Sequence, residues 1–167
     1  MYNEALLDIR KVKAISDYQF EPSITDVLFQ NEENITIERS KNTNKIRYIY
    51  ENDILLLTLR PNNGFFTLNL NSAQKILDHI PPPRLRVVVL TEISEYIKKG
   101  RSVFCKHVVN IDDNLRPMDE VIVVDQEDLL LGIGRLKIPV DYIKNFTSGI
   151  AVDIRKGIWK SKVKNSN

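Results

Sequence analysis

Three consecutive prolines, Pro81, Pro82 and Pro83, stand at the middle of this 167-residue chain and divide it. Proline lacks an amide hydrogen and restricts the residue before it, so no helix or central strand runs through the triplet. A proline run is also extended and stiff, which makes it a short spacer. Each half has about 80 residues, a size at which a core on its own is only modestly stable. The expectation is two small domains that pack together, over residues 1–83 and 84–160, with a basic tail over residues 161–167.

Composition removes several function classes. No apolar run approaches the roughly 20 residues of a membrane helix. The start, Met1-Tyr2-Asn3-Glu4, lacks the basic and apolar regions of a signal peptide, so no membrane partner and a cytoplasmic location are expected. Cys105 is the only cysteine, and His79 and His107 are the only histidines. That set excludes an internal disulfide and argues against a structural zinc site of four Cys or His ligands. Cys105 reads either as a nucleophile or as a small apolar residue in a strand beside Phe104, the second being the commoner role. Residues 85–167 carry 14 Lys and Arg against 11 Asp and Glu, net +3, whereas residues 1–84 carry 10 against 11, net −1. Residues 157–167 hold Lys160, Lys162 and Lys164 and no acid, an end that could contact phosphates or simply aid solubility.

The first half reads as helix, strands, helix. Leu6, Leu7, Ile9, Val12 and Ile15 have helical spacing, with Asn3 as N-cap. Alternating strands follow over residues 34–39 and 45–50, then an apolar strand over 54–59. Turns fall at residues 41–44, at Asn52-Asp53 and at Pro61-Asn62-Asn63-Gly64. A strand over 65–70 leads to a helix capped by Asn71 or Ser72. Tyr48 and Tyr50 share one strand face and Phe65-Phe66 follow a turn; half-buried core is the usual role, and stacking against bases a minor alternative.

The second half is richer in strands. Val87-Val88-Val89-Leu90 and Val121-Ile122-Val123-Val124 are apolar strands. An amphipathic stretch over residues 92–99 ends at Gly100, where glycine can terminate a helix or let a phosphate approach the backbone. Lys99, Arg101, Ser102, Lys106 and His107 surround it and are candidate contacts. Gly132 and Gly134 on alternate strand positions either kink a barrel corner or expose backbone, with Arg135 beside them. A dinucleotide loop is a poor reading, since a third glycine and a following helix are missing. Gly149, Arg155 and Lys156 mark the ends of a last strand. Leu115 and Met118, around residues 116–120, read as core.

The order of these strings in the second half resembles the PUA domain, an RNA-binding module. Residues 14–20, Leu28-Phe29, 40–47 and above all Thr58-Leu59-Arg60-Pro61-Asn62-Asn63-Gly64-Phe65-Phe66-Thr67-Leu68 resemble the domain that precedes PUA in archaeosine tRNA-guanine transglycosylase. Together the likeness runs from about Ala5 to Trp159. It implies an α+β fold: a small N-terminal α+β pre-PUA domain followed by a PUA β-pseudo-barrel.

The resemblance also implies a function. It points to a non-catalytic protein that binds tRNA or another structured RNA, at the acceptor stem and 3′ end. The RNA would meet Lys99, Gly100, Arg101, Ser102, Lys106, His107, Gly132, Gly134, Arg135, Gly149, Arg155 and Lys156. The catalytic part of the resembled enzyme is a TIM barrel of about 250 residues with an aspartate nucleophile and a Cys₃His zinc site. Neither the length nor the ligands are in this sequence, so no cofactor is expected and a separate transglycosylase subunit is a candidate partner. Three rivals stand beside this reading. PUA modules also join pseudouridine synthases and methyltransferases, for whose catalytic domains there is no room. Others bind ribosomal or other RNA. A protein-interaction subunit without RNA affinity also fits the modest +3.

Overall fold

The computed structural model describes residues 3–159, which form two compact units, one ending at Ile80 and one starting at Pro81. The first opens with α1 (Glu4–Gln19), where the Asn3 side chain accepts a hydrogen bond from the Ala5 amide at 3.1 Å. α2 (Pro22–Leu28) has proline in its first turn, where a missing N–H costs nothing. Strands β1 (Ile35–Arg39), β2 (Ile46–Glu51), β3 (Ile54–Leu59) and β4 (Phe66–Leu68) pair antiparallel in chain order. Asn52 and Asp53 both adopt positive φ, 48° and 64°, as the two-residue hairpin between β2 and β3 requires. Ile9, Val12, Ile24 and Leu28 from the helices and Ile49, Leu57 and Phe66 from the sheet are among its buried side chains.

α3 (Leu70–His79) starts earlier than expected, and its cap is Asn69 rather than Asn71 or Ser72. Asn69 is extended, and the Ser72 hydroxyl accepts from its amide at 2.9 Å, completing a reciprocal capping box. Only a start at Asn69 puts Ser72 in the third helical position that this box needs.

The second unit is a six-stranded, barrel-like sheet in the order β6-β10-β9-β8-β5-β7. Its strands are β5 (Arg86–Val89), β6 (Val103–Phe104), β7 (Val108–Ile111), β8 (Glu120–Val124), β9 (Leu130–Leu136) and β10 (Ile150–Gly157). β5 and β8 are parallel; the other pairs are antiparallel. Helix α4 (Ser94–Lys98) lies between β5 and β6, and α5 (Val140–Asn145) between β9 and β10. Every residue of β8 is buried, Glu120 included, as the apolar run over residues 121–124 suggests for a strand covered on both faces. The mixed α/β architecture agrees with the α+β expectation for both halves.

Two core assignments need correction or refinement. Leu115 is buried, but Met118 is 61% exposed at φ +77°, its amide donating to the Leu136 carbonyl. The backbone is turning there, and the turn directs the side chain away from the barrel. Cys105 is buried as an apolar residue, in a 3-10 turn (Cys105–His107) rather than in a strand. Among the described residues, no helix is long and apolar enough to cross a membrane. The expected basic tail lies outside the described residues.

Candidate nucleic-acid interface

The rim begins where α4 stops. Gly100 takes φ +90°, and its amide donates to Ile97 O at 2.8 Å while the Arg101 amide donates to Tyr96 O at 3.1 Å. That pair of bonds is a Schellman cap, which a side chain at Gly100 would strain. The chain then turns sharply, leaving Lys99 and Arg101 exposed on either side of the glycine. Ser102, half-buried, leads into β6.

β6 is the sheet's edge strand and pairs with the start of β10, Val103 opposite Val152 and Phe104 opposite Ile150. Because the pairing is antiparallel, the Gly100 loop faces the far end of β10 and the turn after β6 faces its beginning. There the Cys105 amide donates to Gly149 O at 2.9 Å. Gly149 has φ +97° and open space around it. Lys106 is exposed, and the His107 ring meets the half-exposed Phe104 ring edge-on, centroids 6.3 Å apart. At the other end, Trp159 donates its amide to Lys98 O at 3.0 Å, with the Lys98 and Lys99 ammonium groups 5.4 and 5.8 Å from its ring centre.

Lys99, Arg101 and Lys106 have no carboxylate partner among the described residues. Half-buried Lys156, near the end of β10, has none either. Their charge therefore faces solvent uncompensated, the condition under which lysine and arginine attract phosphate.

The other predicted residues are placed differently. Gly132 and Gly134 are buried in β9, and a Cβ on Gly134 would lie 2.2 Å from Asp153 O. The backbone that approaches them closely is that of β10. Arg155 forks onto Glu120 across the sheet, at 2.8 and 2.7 Å. Arg135 is opposite Glu120 on one side and Asp153 on the other. These two arginines thus sit in a ladder already supplied with carboxylates.

Sequence reasoning did not foresee the buried arginine pair at the start of this barrel. Arg86 is fully buried, and its Nε and one terminal nitrogen donate to Asp128 at 2.6 and 3.0 Å. Asp112 ties the barrel's start to β7: Leu85 N and Arg84 donate to it, each at 2.9 Å. Burial pushes the Asp112 carboxyl upward, but the amides of Asn114 and Leu85 and the Arg84 guanidinium outweigh it and hold it below the usual range. Asp119 is raised, chiefly by burial. Burial likewise pushes the Cys105 thiol up, away from nucleophile character.

The second unit is a barrel-like sheet with a glycine-capped basic rim, and its residues 85–158 match the PUA domain family. Residues 10–83 match the patch-forming domain C2 of tRNA-guanine transglycosylase. The chain is therefore a PUA-domain protein whose two domains together resemble the C-terminal part of tRNA-guanine transglycosylases. It is 40% identical over 153 residues to the tRNA-guanine(15) transglycosylase of Methanobrevibacter smithii, covering 92% of this chain and 23% of that protein. With the enzyme of the same name from Thermoplasma acidophilum it shares 32% identity, over 90% of this chain and 23% of that protein. The chain thus spans about a quarter of the length of these curated relatives. Among solved structures, a hypothetical protein of Pyrococcus horikoshii matches at a TM-score of 0.72 and 21% identity, covering 93% of this chain and 95% of the other. A conserved PUA domain protein from Thermoplasma acidophilum matches at 0.62 and 15%, covering 92% and 89%. Both show the fold.

Proposed function

We propose that this chain is a non-catalytic, cytoplasmic RNA-binding protein that serves tRNA-guanine transglycosylation, the archaeosine modification. It grips tRNA by the acceptor stem and 3′ end. The single observation that carries the reading is the row of cations without carboxylate partners, Lys99, Arg101 and Lys106, on a rim built from a glycine cap and an edge strand. Recognition there is by shape and backbone, because the deep major groove of A-form RNA hides its base edges. Lys99, Arg101, Lys106 and Lys156 position phosphates; Gly100 and Gly149 keep the backbone low enough for close approach. Catalysis belongs to another polypeptide segment, of the kind that fills the remaining length of the relatives.

The test is binding of purified protein to tRNA transcripts with and without the 3′ CCA, across a salt series. Salt-sensitive binding that weakens without CCA supports acceptor-end recognition. Binding indifferent to CCA moves the contact to another part of the RNA, and absence of binding at low salt refutes the reading.

A further inference from the structure

The first unit carries a groove of about 740 Å³ between the second half of α1 and the loops that flank β2 and β3. Lys11, Arg39, Lys45, Arg47 and Arg60 line it, and no carboxylate does. Arg39 is committed to Asp8, with bonds of 2.6 and 2.7 Å. Lys11, Lys45 and Arg47 have no carboxylate partner among the described residues. A half of the chain with net charge −1 therefore concentrates its cations in one hollow.

A second, independent feature stands at one end of that hollow. Tyr18 lies one helical turn beyond the groove residue Ala14, and Phe65 follows the groove residue Gly64. Their rings stack, centroids 6.1 Å apart and 6° from parallel, although Tyr18 is 82% and Phe65 38% exposed. The residue that follows each ring ties the two segments together. The Gln19 amide donates to Phe66 O at 2.8 Å and accepts from Phe66 N at 2.7 Å, clamping α1 to β4. Tyr18 keeps most of its surface in solvent while its ring is stacked on Phe65, so the pair offers an aromatic face to a ligand.

We propose that this groove is a second RNA-binding site, specific for an unpaired segment: Lys11, Lys45 and Arg47 take the phosphates and the open face of Tyr18 stacks a base. Cations tracking the backbone beside an aromatic platform are what single strands need, since every base has a π-face and every linkage a charge. A duplex offers its bases to no such ring. The site rests on the reading of RNA as ligand, but it lies on the unit that carries none of the rim residues.

The probe is an oligouridylate of about eight nucleotides, within the range of single-strand site sizes, titrated against the full chain. Tyr18→Ala is expected to weaken binding about tenfold, the loss of one stacked base. Lys11→Gln with Lys45→Gln is expected to lower the slope of log K against log salt by about 1.4, roughly 0.7 per single-strand phosphate. Both variants are expected to leave binding of a blunt RNA duplex unchanged, whereas Lys106→Gln should weaken the duplex and spare the oligouridylate. Oligouridylate affinity that is absent at low salt, or that responds only to Lys106→Gln, overturns the proposal. If duplex binding fails while the groove variants still act on the oligouridylate, the rim reading falls and this one stands.

Discussion

Arg155→Ala separates structure from recognition, because sequence and geometry give this residue different roles. The Glu120 side chain is 3% exposed and receives two charge-assisted bonds from the Arg155 guanidinium, which is itself 33% exposed. Breaking a fully buried ion pair costs about 3–5 kcal/mol, because the remaining charge stays desolvated. Water reaches Arg155, so the cost here is smaller, about 2–3 kcal/mol. For a domain of this size each kcal/mol lowers Tm by about 4–8 °C, so a fall of about 8–24 °C is expected. Thermal unfolding followed by circular dichroism reads it. The cycle with Glu120→Gln should show a coupling of about 1–3 kcal/mol, assigning the loss to the pair. At a temperature where the variant is folded, its tRNA salt slope should equal that of the wild type. An unchanged Tm together with a slope lowered by about one would refute this reasoning and make Arg155 a phosphate contact.

Gly134→Ala forces a Cβ to within 2.2 Å of Asp153 O, backbone that cannot swing aside, and should destabilise the second unit by about 3 kcal/mol in urea unfolding. Asp112 is held below the usual range when folded, so its stabilisation is present above about pH 4 and lost as pH falls through its folded value. Asp112→Asn should therefore flatten the acid limb of stability measured from about pH 5 to pH 2. Glu51 is also lowered: burial opposes this, but Lys75 and Asn31 outweigh it, so the first unit loses stability in the same direction. Asp119, raised by burial, has the opposite sign and favours the folded state at low pH. Cys105, buried with its thiol raised, should alkylate with iodoacetamide far more slowly in native protein than in urea, read by mass spectrometry.

What the sequence disclosed was local. Asn3, the hairpin at Asn52-Asp53 and the Gly64 turn act within a few residues, and each stands where its chemistry implies. The cap expected at Asn71 or Ser72 falls at Asn69 because three capping residues crowd positions 69–72, and the box with Ser72 distinguishes them. The pairs that decide the arginines are not local. Arg155 and Glu120 are 35 residues apart, and Arg86 and Asp128 are 42 apart, so only strand register brings them together. Gly132 and Gly134 carried a visible signal, two small residues on one strand face, but it was ambiguous between a ligand and a neighbouring strand. The structure shows β10 taking that space. Phe65 was visible as an aromatic after a turn, but its pairing with Tyr18 was not, since the two are 47 residues apart and the neighbouring Gln19–Phe66 clamp brings their elements together.

The proposed contact is between the rim of the second unit and RNA phosphates. Its most direct test is the salt dependence of tRNA binding by wild-type chain and by Lys99→Gln/Arg101→Gln/Lys106→Gln, with folding checked by Tm. All three side chains are exposed and without carboxylate partners among the described residues, so stability should hold. The expected slope is lower by about three, one per lost phosphate contact. Wild-type slope and affinity in the triple variant would contradict it.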